Sequence, residues 1–389
     1  MKTTSHLIDL ACPFCGKSYS VHQIQTFCTD CSAPLLANYN LATMRNKLDR
    51  NELSHRPKGM WRWYELLPVF DSDNIISLGE GDTPLLHLEK LGKALGLTNL
   101  YLKEEGQNPT GSFKARGLSV AVSKAKELGI DKIVIPSAGN AGGAMAAYAA
   151  RAGMKSLIYM PKSSSTANIT ESRITGASVE LVEGLINDAG RYAQEASRSQ
   201  GWFNMSTFKE PYRVEGKKIM GYEIAESHGW KLPDVILFPT GGGTGLVGMW
   251  KSFLELEVLG WLESSKKPKM IAVQAEGCAP IVSAFQSGKP TSELWENAHT
   301  IAAGLCVPHS FADRLILKYI RESWGTAISV SDEEIIDSRI QLASLEGIFS
   351  CPEGAATLAG LVKLLQQDQV HHDETIILIN TGTGLKYIT

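Results

Sequence analysis

Short, continuous apolar runs recur along most of the chain, each bounded by polar residues or glycine. Six stand out after residue 76: KIVIP (132–136), SLIYM (156–160), SVELV (178–182), DVILFP (234–239), KMIAVQ (269–274) and TIILI (375–379). Their length and β-branched content suit strands covered on both faces. Between them lie stretches with helical character, such as NAGGAMAAYAARAG (140–153) and VEGKKIMGYEIAESHG (214–229). Ser331 followed by Glu334 forms a capping box that opens a helix over EIIDSRIQLASLEG (334–347). The alternation predicts an α/β fold with parallel-type sheets. Ligands in such sheets sit beyond the carboxyl ends of the strands, so chemistry is expected in the loops that follow them.

Three of those loops are small, polar and rich in glycine: PSAGNAGG (136–143), PTGGGTGLVG (239–248) and NTGTGLK (380–386). In the second, Gly241, Gly242, Gly243, Thr244 and Gly245 open a helix and so present unpaired N–H groups to an anion, such as a phosphate. The loop lacks GxxxxGK[ST], which argues against a nucleoside triphosphate. Gly243, Gly245 and Gly248 do satisfy GxGxxG, but no acidic residue follows at a strand end near position 265, so a dinucleotide is the weaker reading. The stretch QNPTGSFKARG (107–117) places Lys114 at a helix start, where the backbone dipole disfavours a cation and favours a neutral amine. One phosphate cradle, one such lysine and two further polar loops describe pyridoxal 5′-phosphate. Lys114 would join the cofactor's aldehyde, Asn140 would meet its ring hydroxyl, and Thr381 its pyridine nitrogen.

The first forty residues differ in kind. Cys12 and Cys15 form one CxxC pair, and Cys28 and Cys31 form another. Two such turns bring four thiolates onto one Zn²⁺ in the closed geometry of a structural site. So small a module has little core of its own, and a metal would supply much of its folding energy. The few basic residues between the pairs argue against nucleic-acid binding. Residues 41–75 then read as a linker in which Trp61, Trp63 and Tyr64 anchor the module to the body.

With 38 basic and 41 acidic residues, the net charge of −3 points to neither nucleic acid nor an anionic membrane. No apolar run approaches eighteen residues, and the opening residues do not read as a signal peptide. A cytoplasmic setting is the expectation. Seven cysteines, four of them within the first 31 residues, suit a reducing compartment.

The motifs GDTPL (81–85), NPTGSFKARG (108–117), PSAGNAGGAMAAYAARAG (136–153), PYRVEGKK (211–218), VQAEGCAP (273–280) and NTGTGLK (380–386) fall in one order. That order resembles the tryptophan-synthase-β-like, fold type II family of pyridoxal-phosphate enzymes and, within it, the threonine synthases. The resemblance implies a large domain of residues 76–112 and 206–389, a small domain of 113–205, and a zinc ribbon over 1–40. It implies a homodimer acting on a small amino-acid substrate, with Ser137 and Arg213 on that substrate. The activity implied is conversion of O-phosphohomoserine and water to threonine and phosphate. Ala115, Ala138, Ala141, Glu210 and Thr383 stand where threonine synthases usually carry Asp, Thr, Thr, Asn and His. Those departures keep a serine/threonine ammonia-lyase, or β-replacement on an activated serine, as an alternative. An NAD-dependent or non-catalytic relative stands further off.

Overall fold

The computed structural model describes residues 5–388. The N-terminal module is a three-stranded antiparallel sheet of β1 (Leu7–Ala11), β2 (Ser18–Tyr19) and β3 (Leu36–Tyr39), in the order β2-β1-β3. Its attachment to the body is aromatic and polar at once. Trp63 is fully buried, with its ring centroid 4.9 Å from that of Tyr222 and others from Trp230 and Trp261 around it. The Tyr39 hydroxyl donates to Glu215 at 2.9 Å. Glu215 in turn belongs to a buried cluster with Lys218, Lys251 and Glu255. The aromatic segment is therefore a packing anchor.

Two further sheets make the body. After β4 (Leu85–His87) and β5 (Leu100–Glu104), the chain builds β6 (Lys132–Pro136), β7 (Lys155–Pro161), β8 (Ser178–Val182) and β9 (Phe203–Asn204). It then builds β10 (Val235–Pro239), β11 (Lys269–Ala275), β12 (Ala327–Val330) and β13 (Ile376–Asn380). Strands β8-β7-β6-β9 form one parallel sheet; β12-β11-β10-β13-β5-β4 form the other, parallel except where β4 pairs with β5. All six apolar runs are strands. The pattern did not reveal β5, because LYLKE ends in two charged residues, both buried. Lys103 is tolerated there because its ammonium donates to the Thr83 carbonyl at 2.6 Å and to Glu223 at 2.7 Å.

Local signals hold where they were strongest. Ser331 accepts from the Glu334 amide, and Glu334 accepts from the Ser331 amide at 2.7 Å, opening helix Asp332–Glu346. That helix stops at Gly347, whose φ of 72° suits glycine. Among the described residues no helix is long and apolar enough to cross a membrane.

Candidate active site and metal centre

A cavity of about 690 Å³ opens beyond the carboxyl ends of β6, β10 and β13, and all three glycine-rich loops line it. Helix Lys114–Glu127 begins at its wall. The hinge between sequence-distant parts is backbone: the Phe113 amide donates to the Thr381 carbonyl, and the Thr383 amide to the Gly111 carbonyl. Ser112 and Gly382 form an antiparallel bridge between the two loops. The lysine loop and the last glycine-rich loop are thus laced edge to edge.

Lys114 lines the cavity, with its Nζ 4.3 Å from the Phe113 ring centroid. Burial, helped by the Arg213 charge and opposed by Glu353, brings its amine down to about 8. About a tenth of the side chain is therefore the neutral, nucleophilic amine at pH 7, against well under a thousandth for an ordinary lysine.

The second loop shows why it must be glycine. Gly243 has φ +78°, and a Cβ there would strike Ile316. A Cβ on Gly241 would strike the Gly304 carbonyl, one on Gly245 the Phe238 ring, and one on Gly242 would lie 2.7 Å from Thr207. Helix Thr244–Leu259 has no side-chain cap, so its leading N–H groups remain available at the cavity. Gly241, Gly242, Gly243, Thr244 and Gly245 all line it.

Asn140 opens helix Asn140–Ala152, with Nδ2 donating to the Tyr387 hydroxyl at 3.3 Å and Oδ1 buried without a partner among the described residues. It is not a helix cap. Ser137 takes that task, accepting from the Gly142 amide at 2.8 Å and donating to the Gly139 carbonyl at 2.8 Å. Its hydroxyl is thus occupied within its own loop, although Ser137 lines the cavity. Thr381 also lines the cavity, its hydroxyl 3.5 Å from Cys351 Sγ.

Two cavity residues escaped sequence reasoning. Glu353, in the first turn of helix Pro352–Gln366, accepts from the Tyr387 hydroxyl at 3.0 Å and from the Gly304 amide at 2.7 Å. Its Oε2 is buried and has no partner among the described residues. Both side chains face the cavity. The only sequence signal was an acid just after Cys351-Pro352, which also reads as ordinary first-turn charge. Cys306 lines the cavity as well.

Residues 76–382 match the family model described as pyridoxal-phosphate dependent enzyme. The chain belongs to that family. A threonine synthase of Methanocaldococcus jannaschii is 37% identical over 96% of this chain and 92% of its own length. One from Methanosarcina acetivorans is 36% identical over 98% and 92%. Among solved structures, maize serine racemase superposes with TM-score 0.67 at 20% identity, covering 78% of this chain and 88% of its own. The Solanum lycopersicum threonine deaminase isoform 2 gives 0.66 at 24%, covering 86% and 90%. These neighbours identify the fold as that of the fold type II pyridoxal-phosphate enzymes. The cavity suits the family's cofactor: a reactive amine, a close-packed loop of free N–H groups and an orphaned Asn140 Oδ1 all face one space.

Arg213 stands apart from the other expected site residues. It is buried at the start of helix Arg213–Ser227 and does not line the cavity. Its Nη1 donates to the Met205 carbonyl at 2.8 Å and reaches Thr207 Oγ1 at 3.5 Å, so Thr207 stands between it and the space. Glu210 also turns away. Its carboxylate accepts the Tyr212 and Arg213 amides, and burial pushes it up to about 7.

In the N-terminal module the sulfurs of Cys12, Cys15, Cys28 and Cys31 all lie within 4.8 Å of one another, a group that could hold a metal ion. The separations Cys12–Cys31, Cys15–Cys28 and Cys15–Cys31 are 3.3, 3.6 and 3.9 Å. A tetrahedron with metal–sulfur bonds of about 2.3 Å has edges of about 3.8 Å. The two turns are alike: the Gly16 amide donates to the Cys12 carbonyl and the Ser32 amide to that of Cys28. Gly16 and Ser32 both have positive φ, 74° and 56°. The Tyr19 hydroxyl donates to Cys28 Sγ and lowers that thiol to about 6.

Proposed function

We propose that the protein is a threonine synthase, acting on O-phosphohomoserine and water to give threonine and phosphate. The observation that carries this reading is end-to-end similarity, ribbon included, to threonine synthases. When bound, the cofactor supplies an electron-withdrawing ring that makes the substrate's α-hydrogen acidic. Lys114 would hold the cofactor through its amine and would act as the general base for that proton. Asn140 would orient the ring hydroxyl, the amides of Gly241 to Gly245 would hold the phosphate, and the neutral hydroxyl of Thr381 would meet the pyridine nitrogen. Arg213 supports the substrate's phosphate from behind Thr207. Residues 113–205 form the small domain, 76–112 and 206–389 the large, and the four cysteines hold a structural zinc. A cytoplasmic homodimer completes the reading.

One observation favours the alternative. The Glu353 carboxylate lines the same cavity, where it would repel a phosphorylated substrate, and Ala115 and Ala138 add no polar side chain. Elimination from serine or threonine is the second reading. The deciding experiment incubates the enzyme separately with O-phosphohomoserine, threonine, serine and O-phosphoserine, and assays phosphate, 2-oxo acid and amino-acid products. Threonine and phosphate from O-phosphohomoserine support the synthase. An inert O-phosphohomoserine beside 2-oxo acid from serine or threonine replaces it with the ammonia-lyase.

A further inference from the structure

Helices Arg213–Ser227 and Thr244–Leu259 pack backbone to backbone: a Cβ on Gly248 would lie 2.9 Å from the Lys218 amide nitrogen and 3.0 Å from the Val214 carbonyl. That approach brings Lys217 beneath the start of the second helix. Its Nζ lies 3.2 Å from Thr244 Oγ1 and 3.9 Å from the Phe113 ring centroid, so the amines of Lys114 and Lys217 both lie against one ring. Lys217 is wholly buried, and Thr244 stands between it and the cavity. Thr244 Oγ1 is its sole hydrogen-bond partner among the described residues. No acid is in salt-bridge contact with it among those residues, unlike the neighbouring Lys218, which pairs with Glu215 and Glu255.

We infer that Lys217 is a positioning residue of the cofactor's phosphate site, taking up a proton as the phosphate enters and turning the Thr244 hydroxyl toward it. The chemistry follows from donor counting. A neutral Lys217 amine accepts the Thr244 O–H, so the hydroxyl offers only lone pairs to the cavity. A protonated Lys217 donates to Thr244 Oγ1 and frees that hydrogen for a phosphate oxygen. Burial, with the charges of Lys114 and Arg213, holds the Lys217 amine well below the ordinary lysine range, while Glu210 and Glu105 act the other way. A dianion a short distance off reverses that balance.

The test uses the full chain stripped of cofactor and pyridoxine 5′-phosphate, which has the phosphate but no aldehyde and cannot react with Lys114. Titration calorimetry in buffers of different ionisation enthalpy counts protons taken up. Above pH 7 the phosphate is already largely dianionic, its second ionisation lying near about 6. Wild type should take up about one proton more than Lys217→Met, and its affinity should fall as pH rises. Lys217→Met should bind at least about tenfold more weakly at pH 7.5, a loss of about 1.4 kcal/mol. Lys217→Arg should keep the affinity with a flatter pH dependence. Because Lys114 also titrates near about 8, the pair is repeated in Lys114→Ala, where the one-proton difference should persist. Pyridoxine, lacking the phosphate, should not distinguish wild type from Lys217→Met. Thr244→Val, which keeps Lys217 but removes the hydroxyl it turns, serves as a second variant and should lose affinity while still taking up the proton. Equal proton uptake by wild type and Lys217→Met, or unaltered affinity in Thr244→Val, overturns the inference while leaving the cofactor assignment standing. Failure of wild type to bind pyridoxine 5′-phosphate or pyridoxal phosphate removes both.

Discussion

The amide of Phe113 donates to the carbonyl of Thr381 at 3.0 Å, across 268 positions of sequence. This one bond fixes the start of the lysine helix against the loop that carries the hydroxyl, so that Lys114 and Thr381 face the same cavity. On the proposed reading, Lys114 would address the cofactor's aldehyde and Thr381 its pyridine nitrogen from one rigid frame.

Lys114→Ala should abolish the near-visible band of the bound cofactor and its trapping by borohydride. Turnover should fall by at least about 10²–10⁴-fold, the usual contribution of a positioned base. Absorbance, peptide mass after reduction and a single-turnover assay check this. Unchanged absorbance and turnover would remove Lys114 from the reaction.

The capture of pyridoxal phosphate by stripped enzyme should depend on pH through Lys114. Its folded-state value is depressed to about 8, so the reactive neutral form rises about tenfold per unit below that pH and levels off above it. Glu353 raises the Lys114 value, so Glu353→Gln should move the plateau to lower pH. Stopped-flow rates at fixed ionic strength measure both; a shift to higher pH in the variant contradicts the assigned charge relation.

Gly242→Val brings a branched side chain against Thr207 and misdirects the loop amides. Cofactor affinity should weaken by about 2–4 kcal/mol if two charge-assisted bonds are lost. Cofactor content after exhaustive dialysis reports it, and full retention would count against the loop as a phosphate cradle.

Removal of metal, by chelator or by Cys28→Ser, should loosen residues 5–40 and leave the cofactor bound. Metal analysis should return one zinc per chain, and hydrogen exchange should rise in β1 to β3. Zinc-free protein prepared without chelator, with the module equally protected, refutes the assignment.

Legibility in the sequence followed the physics of each signal. Runs such as VILFP and IILI are strands buried on both faces, and no competing pattern exists for them. LYLKE was hidden because Lys103 and Glu104 are buried in partnership with residues far along the chain, which no local pattern records. The glycine-rich loops could be read because close backbone approach excludes other residues there. Glu353 and Tyr387 could not, since an acid in a first helical turn and an aromatic near the chain end have ordinary explanations. Arg213 shows a different limit. Its motif was plain, but its guanidinium is directed to Met205 and Thr207 behind the cavity wall. The cysteines split the same way: the paired spacing of the first four announced their convergence, whereas nothing marked Cys351 as the neighbour of Thr381.

Strand β13, the last in chain order among the described residues, is inserted between β10 and β5 at the centre of the six-stranded sheet. While a chain is emerging from the ribosome, β5 and β10 therefore have no strand to join them, and the loop bearing Thr381 does not yet exist. The ribbon and the four-stranded sheet draw only on residues already made and can form early. The candidate site is closed only once these dozen or so residues, which also complete the sheet, have been made, so a chain that stops short of them leaves that sheet divided and its lysine without the facing loop.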